Sequence, residues 1–202
     1  MDRSDWLKDM LVQANRLIAK EVLENYNLSE GLCIDVGCGS GWFGIEIARL
    51  STFSVVLLDI NREEVSKAYL NAHSYGVSER IFPIMADAHQ LPFKDESVHL
   101  IVSRGSIFFW EKPPKALRDI YRVLNNGGIA FIGGGFGKTL PQNLRKKIYD
   151  EVKRTIRQNE YMFKKWKRGR RLSVFRGWIR DAGLSKFKII KNSFDIWVEI
   201  TK

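Results

Sequence analysis

Apolar residues fall in short runs over the first two thirds of the chain, and stretches with helical spacing separate these runs. The runs have the length of buried strands, and they lie at residues 32–36, 54–59, 81–85, 98–103 and 129–133. The helical stretches between them lie at residues 41–50, 62–74 and 114–124. This alternation predicts an α/β fold in which a parallel sheet carries helices on both faces.

The N-terminal part and the region after residue 138 depart from this alternation. Residues 5–25 carry apolar side chains three and four positions apart, which predicts an amphipathic helix ahead of the first strand. Residues 138–158 and 173–182 predict further helices, and an aromatic and basic run at residues 161–171 lies between them. These later helices predict a cap over the sheet.

Two further apolar segments, residues 187–190 and 196–200, lie close enough in sequence to form an antiparallel hairpin. No repeat or low-complexity linker divides the chain. We therefore expect a single domain over residues 1–202, with an N-terminal helix at residues 5–25 and a basic helical cap at about residues 138–182.

The length of 202 residues and a hydrophobic content of 45% suit one globular domain. No apolar stretch approaches the roughly 18 residues of a membrane helix, and the first residues lack the pattern of a secretion signal. These features predict a cytoplasmic protein without a membrane segment. In that compartment we expect Cys33 and Cys38 to be reduced packing residues, and no Cys and His spacing predicts a metal site.

The net charge of +10 originates in one late segment. Residues 138–191 contain 18 Lys and Arg against 4 Asp and Glu, whereas the rest of the chain contains 15 against 19. Cations and aromatic side chains interleave at residues 161–171, as they do on surfaces that bind nucleic acid. The segment is therefore either a lid that closes over a small substrate or a surface for an anionic partner such as RNA.

The strand predicted at residues 32–36 leads into a turn with three glycines, Gly37, Gly39 and Gly41. Glycine permits positive φ angles and lets a ligand approach the main chain closely. Such turns serve several nucleotide-like ligands, so the turn alone does not identify one.

Three aspartates lie at the carboxyl ends of consecutive predicted strands, namely Asp35, Asp59 and Asp87. Asp59 can accept hydrogen bonds from both hydroxyls of a ribose, and Asp87 is placed to accept one from the exocyclic amine of a base. A single aspartate at such a position is more often a helix cap or a turn residue. Three at matching strand ends indicate a nucleotide-like cofactor.

These features resemble the class I S-adenosylmethionine-dependent methyltransferases. The string DVGCGSG at residues 35–41 resembles the first motif of that family, Asp59 its ribose-binding acid, and residues 86–88 its adenine-contacting segment. A dinucleotide dehydrogenase would more usually place its third glycine three residues after the second. The strings SRGSIFFWE at residues 103–111 and GGGFG at residues 133–137 are also similar to a small, poorly characterised prokaryotic group within the family.

The resemblance implies S-adenosylmethionine as cofactor and a Rossmann-like sheet of seven strands in the order 3-2-1-4-5-7-6, with the last strand antiparallel. The residues that it implies for cofactor binding are Asp35, Gly37, Cys38, Gly39, Gly41, Asp59, Ile60, Asp87, Ala88 and Ser103.

Residues after the fourth strand usually face the methyl acceptor in this family, and here they offer Arg104, Ser106 and Trp110 as candidate catalytic residues. The Asn/Asp-Pro-Pro-Tyr/Phe string that many methyltransferases use for planar amino groups does not stand at this place, which disfavours methylation of an exocyclic base nitrogen. At least one of Phe108 and Phe109 is expected to be a core residue.

Two features near the predicted acceptor side allow alternative interpretations. Arg104 could pair with an anionic substrate or form a structural bridge to Glu111 or Asp119. The glycines of residues 133–137 could form the floor of the acceptor pocket or a loose hinge into the basic segment.

The function that the sequence favours is methyl transfer to a small molecule. Arg104 would suit an acceptor that carries an anionic group. One alternative is an RNA methyltransferase that uses the basic segment at residues 138–191, and another is a cofactor-binding protein without turnover. The sequence leaves the oligomeric state open.

The ribose assignment of Asp59 predicts that Asp59→Ala weakens cofactor binding by about 1.5 to 3 kcal/mol, because the substitution removes charge-assisted hydrogen bonds. Calorimetric titration with the cofactor measures this loss directly. An unchanged affinity would mean that the assignment is wrong.

Overall fold

The computed structural model describes residues 3–202, and their side chains from residue 5 onward. The described strands are β1 (Leu32–Val36), β2 (Ser54–Asp59), β3 (Ile81–Met85), β4 (Val98–Arg104), β5 (Leu124–Gly134), β6 (Phe187–Lys191) and β7 (Ile196–Thr201). The described helices are α1 (Arg3–Tyr26), α2 (Trp42–Leu50), α3 (Arg62–Ser74), α4 (Pro113–Val123), α5 (Gln142–Arg157), α6 (Glu160–Gly169) and α7 (Leu172–Asp181). None of these helices combines the length and the apolarity needed to cross a membrane.

The strands form one sheet in the order β3-β2-β1-β4-β5-β7-β6. β7 runs antiparallel to both of its neighbours, β5 and β6, whereas the pairs among β1 to β5 are parallel. The predicted strand order and the predicted antiparallel hairpin are therefore confirmed. Because the parallel strands share one direction, the loops that follow β1, β2, β3 and β4 meet at one edge of the sheet.

Apolar side chains cover both faces of the sheet, as the strand and helix alternation predicts. Ile34 of β1 belongs to the same buried cluster as Leu117 of α4 and Ile179 of α7. The neighbouring Cys33 belongs to the opposite cluster, together with Ile45 of α2. Alternate residues of β1 therefore face opposite layers of helices.

β5 differs from the predicted strand at residues 129–133. Residues 125–128, whose asparagines and glycines are typical of a helix stop and a turn, do follow the end of α4 at Val123, but they belong to β5, which begins directly after that helix. The pairing register with β4 shifts between Val98 and Leu100, and the N–H of Gly127 donates to the carbonyl of Lys202. The asparagines and glycines thus form an irregular part of a strand that pairs on both sides.

Three helices, α5, α6 and α7, connect β5 to the hairpin of β6 and β7. The run at residues 161–171, to which no element was assigned from the sequence, is mostly α6. The side chain of Asn159 caps this helix by accepting a hydrogen bond from the N–H of Met162 at 3.0 Å. Trp166 is buried, whereas Lys164 and Lys167 are exposed. The run is therefore an amphipathic helix that packs its largest aromatic side chain inward.

The packing of Trp197 predicts a large effect on stability. Trp197 lies in β7, is 2% exposed and stacks on Phe131 with 4.5 Å between ring centroids. We expect Trp197→Ala to lower the free energy of unfolding by about 3 to 5 kcal/mol, measured by urea denaturation. Phe187→Ala is the control, since Phe187 is 42% exposed on β6 and should change stability by about 0.5 kcal/mol. Equal losses in the two variants would contradict the prediction.

Candidate functional site

The turn after β1 is held together by its own hydrogen bonds. The N–H groups of Gly37 and Cys38 both donate to the carbonyl of Leu58, at 2.8 and 3.0 Å. The N–H of Gly39 donates to Oδ2 of Asp59 at 2.8 Å. The three glycines predicted for this turn have φ angles between +51° and +83°. The turn is therefore fixed to the end of β2, and Asp59 is part of its support.

The same turn lies against the loop that follows β4 (residues 105–112, the β4 loop). A Cβ atom on Gly37 would overlap the side chain of Ser106, so only glycine allows this approach. The Ser106 hydroxyl donates to the carbonyl of Val36 at 3.0 Å and lies 2.6 Å from Oγ of Ser103. Ser103 is fully buried. These serines hold the β1 turn and the β4 loop together.

A cavity of about 610 Å³ opens at this edge of the sheet, and we call it the first cavity. It brings together five of the residues that the resemblance implied for cofactor binding, namely Gly37, Asp59, Ile60, Asp87 and Ala88. The candidate catalytic residues Ser106 and Trp110 also line it, as does Phe109. The side chain of Phe108 is buried instead, which confirms that one of the two phenylalanines belongs to the core.

The other predicted cofactor residues, Asp35, Cys38, Gly39, Gly41 and Ser103, do not line the first cavity as the described residues form it. Asp35 is buried, and its Oδ2 accepts a hydrogen bond from the N–H of Gly44 at 2.9 Å. Because Gly44 lies in the first turn of α2, Asp35 attaches that helix to β1. Burial raises the pKa of Asp35 to about 7, although the hydrogen bond from Gly44 opposes this rise.

His89, which was not a predicted site residue, connects two loops that line the first cavity. Its Nδ1 lies 2.5 Å from Oδ1 of Asp87, and its Nε2 accepts a hydrogen bond from the N–H of Lys112 at 3.1 Å. Since Nε2 accepts, the ring proton must be on Nδ1, where it is donated to Asp87. The loop after β3 is thereby held to the β4 loop.

Arg104 lies on the other side of the β4 loop, away from the first cavity. Its Nε donates to the carbonyl of Gly135 at 3.0 Å and its Nη1 to Oδ1 of Asn15 at 3.1 Å. The guanidinium also lies over the ring of Phe136. Burial lowers the pKa of Arg104 to about 10, although the negative charge of Asp195 opposes the shift.

The alternative that Arg104 forms a bridge to Glu111 or Asp119 is wrong. Glu111 instead pairs with Lys165 of α6 at 2.7 Å, and Asp119 pairs with Arg122 at 2.8 Å. Lys165 also donates to the carbonyl of Phe109 at 2.9 Å. α6 is therefore attached to the β4 loop on the side of the first cavity.

A second cavity, of about 190 Å³, lies beside Arg104. It is lined by the end of β4, the β4 loop, the glycine string and side chains of α1, α5 and α6, among them Arg104, Gly105, Phe108, Gly134, Gly135 and, directly after α6, Arg170. Residues 134–136 of the glycine string thus border a small, partly open cavity. Ser106 lines the first cavity and its neighbour Gly105 the second, so the two cavities lie on either side of the β4 loop.

Two charged residues of this region were missed by the sequence analysis. Arg170 was one cation among many in the basic segment, and Asp195 precedes the last strand. Asp195 is 2% exposed, and its Oδ1 accepts a hydrogen bond from the N–H of Phe136 at 2.6 Å. A Cβ on Gly135 would overlap the Asp195 carboxylate. An acidic residue directly before an apolar strand was the one signal available.

Comparison with known proteins identifies the class of protein to which this chain belongs. A family model described as a methyltransferase domain matches residues 34–132. A solved structure from Methanococcus maripaludis, described as a candidate S-adenosyl-L-methionine-dependent methyltransferase, is 33% identical with a TM-score of 0.84, and the match covers 96% of this chain and 88% of that chain. The chain belongs to the class I S-adenosylmethionine-dependent methyltransferases, the family whose cofactor is S-adenosylmethionine. The predicted family and cofactor are thereby confirmed.

Curated relatives share a shorter region. The 2-methyl-6-phytyl-1,4-hydroquinone methyltransferase 1 of Oryza sativa, a chloroplast protein, is 34% identical over 131 residues, which are 64% of this chain and 36% of that protein. The chain spans about a third of the length of such plant relatives. A methyltransferase structure from Aquifex aeolicus, 18% identical with a TM-score of 0.61 over 91% of this chain and 89% of that one, shares the fold.

The raised pKa of Asp35 predicts a pH-dependent stability. The folded state holds the Asp35 proton more tightly than the unfolded chain, whose aspartate titrates near 3.9. The contribution of Asp35 to the free energy of unfolding is therefore largest at low pH. As the pH rises above about 4, this contribution falls by up to about 1.4 kcal/mol per pH unit until the pH reaches about 7. Asp35→Asn should remove this decline and be the more stable protein at about pH 8, measured by urea denaturation.

Asp150→Asn is the matched control, because Asp150 is an exposed aspartate on α5. It should leave the pH profile unchanged. A profile for Asp35→Asn that still falls as steeply as that of the unmodified protein would contradict the prediction.

Proposed function

We propose that the protein transfers a methyl group from S-adenosylmethionine, bound in the first cavity, to a small molecule bound in the second. The observation that supports this proposal is that the two cavities lie on either side of one short loop, with Ser106 on the first cavity and the adjacent Gly105 on the second. The first cavity contains the residues that suit a nucleoside. The second is small, lined on one side by residues of the cap and bordered by glycines.

The residues of the first cavity fit the cofactor. Its volume of about 610 Å³ is typical of small-molecule sites. Ile60 is 70% exposed, and an apolar side chain of this size is suited to the face of an adenine ring. Each oxygen of Asp59 accepts one main-chain hydrogen bond, from Gly39 or Asn61, and a carboxylate oxygen can accept a further one from a ribose hydroxyl.

We therefore assign Asp59 to the ribose and Asp87 to the adenine amine, with Ile60 and Ala88 beside the ring. The methionine portion is assigned to the residues around the β1 turn and the start of β4, namely Asp35, Gly37, Cys38, Gly39, Gly41 and Ser103. Asp35 and Gly41 also have structural roles there, because Asp35 holds Gly44 and a Cβ on Gly41 would approach Leu57 at 2.8 Å.

When bound, S-adenosylmethionine would supply a methyl group on a sulfonium, which a lone pair of the acceptor would take as S-adenosylhomocysteine leaves. Any proton that the acceptor loses would go to solvent or a base. The chain must orient the acceptor and exclude water, which can lower the barrier by about 7 to 11 kcal/mol. Of the candidate catalytic residues, Ser106 is engaged by Val36 and Ser103, whereas Arg104 borders the acceptor side.

The cap favours a small acceptor over RNA. Trp166 of α6 is buried and lines the second cavity, so this aromatic side chain is not presented to a nucleic acid. The basic side chains that remain outside can be solvated. We accordingly propose that residues 138–182 form a lid on a single methyltransferase domain. Membership of the narrower prokaryotic group and a cytoplasmic location also remain proposals.

The test is to incubate the protein with cell extract and S-adenosylmethionine carrying an isotopically labelled methyl group. Mass spectrometry should then find the label in a small molecule. Label in RNA would instead support the nucleic-acid alternative, and no labelled acceptor of any kind would support a cofactor-binding protein without turnover.

The acceptor role of the glycine string predicts a selective effect of Gly134→Ala. The added Cβ would lie 2.7 Å from Cε2 of Phe108, so this ring, which lines the second cavity, must shift. Turnover should fall by at least about tenfold, a barrier change of about 1.4 kcal/mol, while cofactor affinity stays within about twofold. The control is Gly177→Ala on α7, where nothing lies within 4 Å of the added Cβ. Equal losses of turnover and cofactor affinity would contradict the role.

A further inference from the structure

Three arginines surround one buried carboxylate behind the β4 loop. Arg145 Nη1 lies 3.5 Å from Oδ2 of Asp195, and the negative charge of Asp195 also acts on Arg104 and Arg170. The oxygens of Asp195 already accept hydrogen bonds from the N–H of Phe136 and from Nδ2 of Asn192, both at 2.6 Å. Asp195 is therefore the counter-charge that the three guanidinium groups share, and the buried Asp35 adds a weaker negative charge that acts on Arg104 alone among them.

The two arginines that line the second cavity are held by neutral acceptors. Arg170 donates to the carbonyl of Phe194 at 2.5 Å and to that of Gly134 at 3.4 Å, whereas Arg104 donates to Gly135 and Asn15. Among the side chains described from residue 5 onward, no carboxylate lies within 4.0 Å of either guanidinium as an ion pair. Each guanidinium has five N–H donors, so both retain donors for a ligand.

This arrangement is unfavourable without an additional negative charge. Burial lowers the pKa of Arg104 and of Arg170, which reflects the cost of removing each cation from water. Nε of Arg145 is buried and has no hydrogen-bond partner among the described residues. The region thus carries a surplus of positive charge. An anionic ligand in the second cavity would offset that charge at Arg104 and Arg170, which line the cavity, whereas Arg145 lies behind them.

The size and walls of the second cavity limit the ligand. A volume of about 190 Å³ corresponds to roughly six water molecules at about 30 Å³ each. Apart from the arginines, the walls are mainly apolar and aromatic, with Phe108, Tyr149 and Trp166 packed around the Arg170 guanidinium at 5.1 to 5.6 Å. These rings fix the guanidinium plane and exclude water from it.

We propose that the second cavity binds a carboxylate group of the methyl acceptor through Arg104 and Arg170, so that the substrate is a small organic monocarboxylate. This inference rests on the proposed function, because it takes the second cavity as the acceptor site. The planar guanidinium matches the two oxygens of a carboxylate, which strengthens and orients the contact. A doubly charged phosphate would lose more hydration energy on entering such an apolar space.

The test uses the full chain saturated with S-adenosylhomocysteine, the demethylated cofactor, and calorimetric titration with matched probes. The probes are propionate, benzoate and phenylacetate, each paired with its neutral amide, and inorganic phosphate. We expect at least one carboxylate to bind about tenfold or more tightly than its amide, because only the carboxylate forms charge-assisted hydrogen bonds. Phosphate should bind more weakly than that carboxylate.

Two variants test the residues and a third is the control. Arg170→Gln and Arg104→Gln should each reduce the affinity for the preferred carboxylate by about tenfold or more and leave the affinity for its amide within about twofold. Arg168→Gln is the matched control, because Arg168 is an exposed arginine in the last turn of α6, two residues before Arg170. It should change neither affinity. Arg170→Lys keeps the charge and should restore part of the carboxylate affinity.

The outcomes separate this inference from the proposed function. Three results would each overturn the carboxylate site. They are amides that bind as tightly as every carboxylate, phosphate that binds more tightly than every carboxylate, and an Arg170→Gln variant with normal carboxylate affinity. Failure of the unmodified protein to bind S-adenosylhomocysteine would instead overturn the proposed function. S-adenosylhomocysteine affinity within about twofold in all variants shows that the first cavity is intact.

Discussion

The contact between Gly37 and Ser106 determines the arrangement of everything around the site. Because no Cβ stands on Gly37, the β4 loop approaches the β1 turn until the Ser106 hydroxyl reaches the carbonyl of Val36. This approach brings the β4 loop between the two cavities, with Ser106 facing one and Gly105 the other. A bulkier residue at position 37 would separate the loops and merge or displace both spaces.

The parts that could be predicted from the sequence depend on local signals. Asp59 and Asp87 each follow a run of apolar residues, and a parallel sheet necessarily brings the ends of such runs to one edge. The positions of both aspartates on the first cavity follow from that rule. Local signals are also what made residues 125–128 ambiguous. Asparagine and glycine suit an irregular strand as well as a free turn, and only the neighbouring strands decide between them.

The acceptor side could not be predicted in the same way. Arg104, Arg170 and Asp195 are far apart in sequence, and no periodicity connects them. Their proximity depends on how α6 packs against the β4 loop and on how the hairpin of β6 and β7 places Asp195 beside the glycine string. Composition revealed the excess of basic residues, but it could not separate the half-buried Arg170 from exposed neighbours such as Arg168.

α6 is connected to both cavities. Lys165 attaches it to Phe109 and Glu111, which border the first cavity, whereas Trp166 and Arg170 border the second. A displacement of this helix therefore changes both spaces at once. Suppose that a ligand bound in one cavity displaces α6. Thermodynamic linkage then requires that this ligand changes the affinity of the other cavity for its own ligand, and that the second ligand changes the affinity for the first by the same factor.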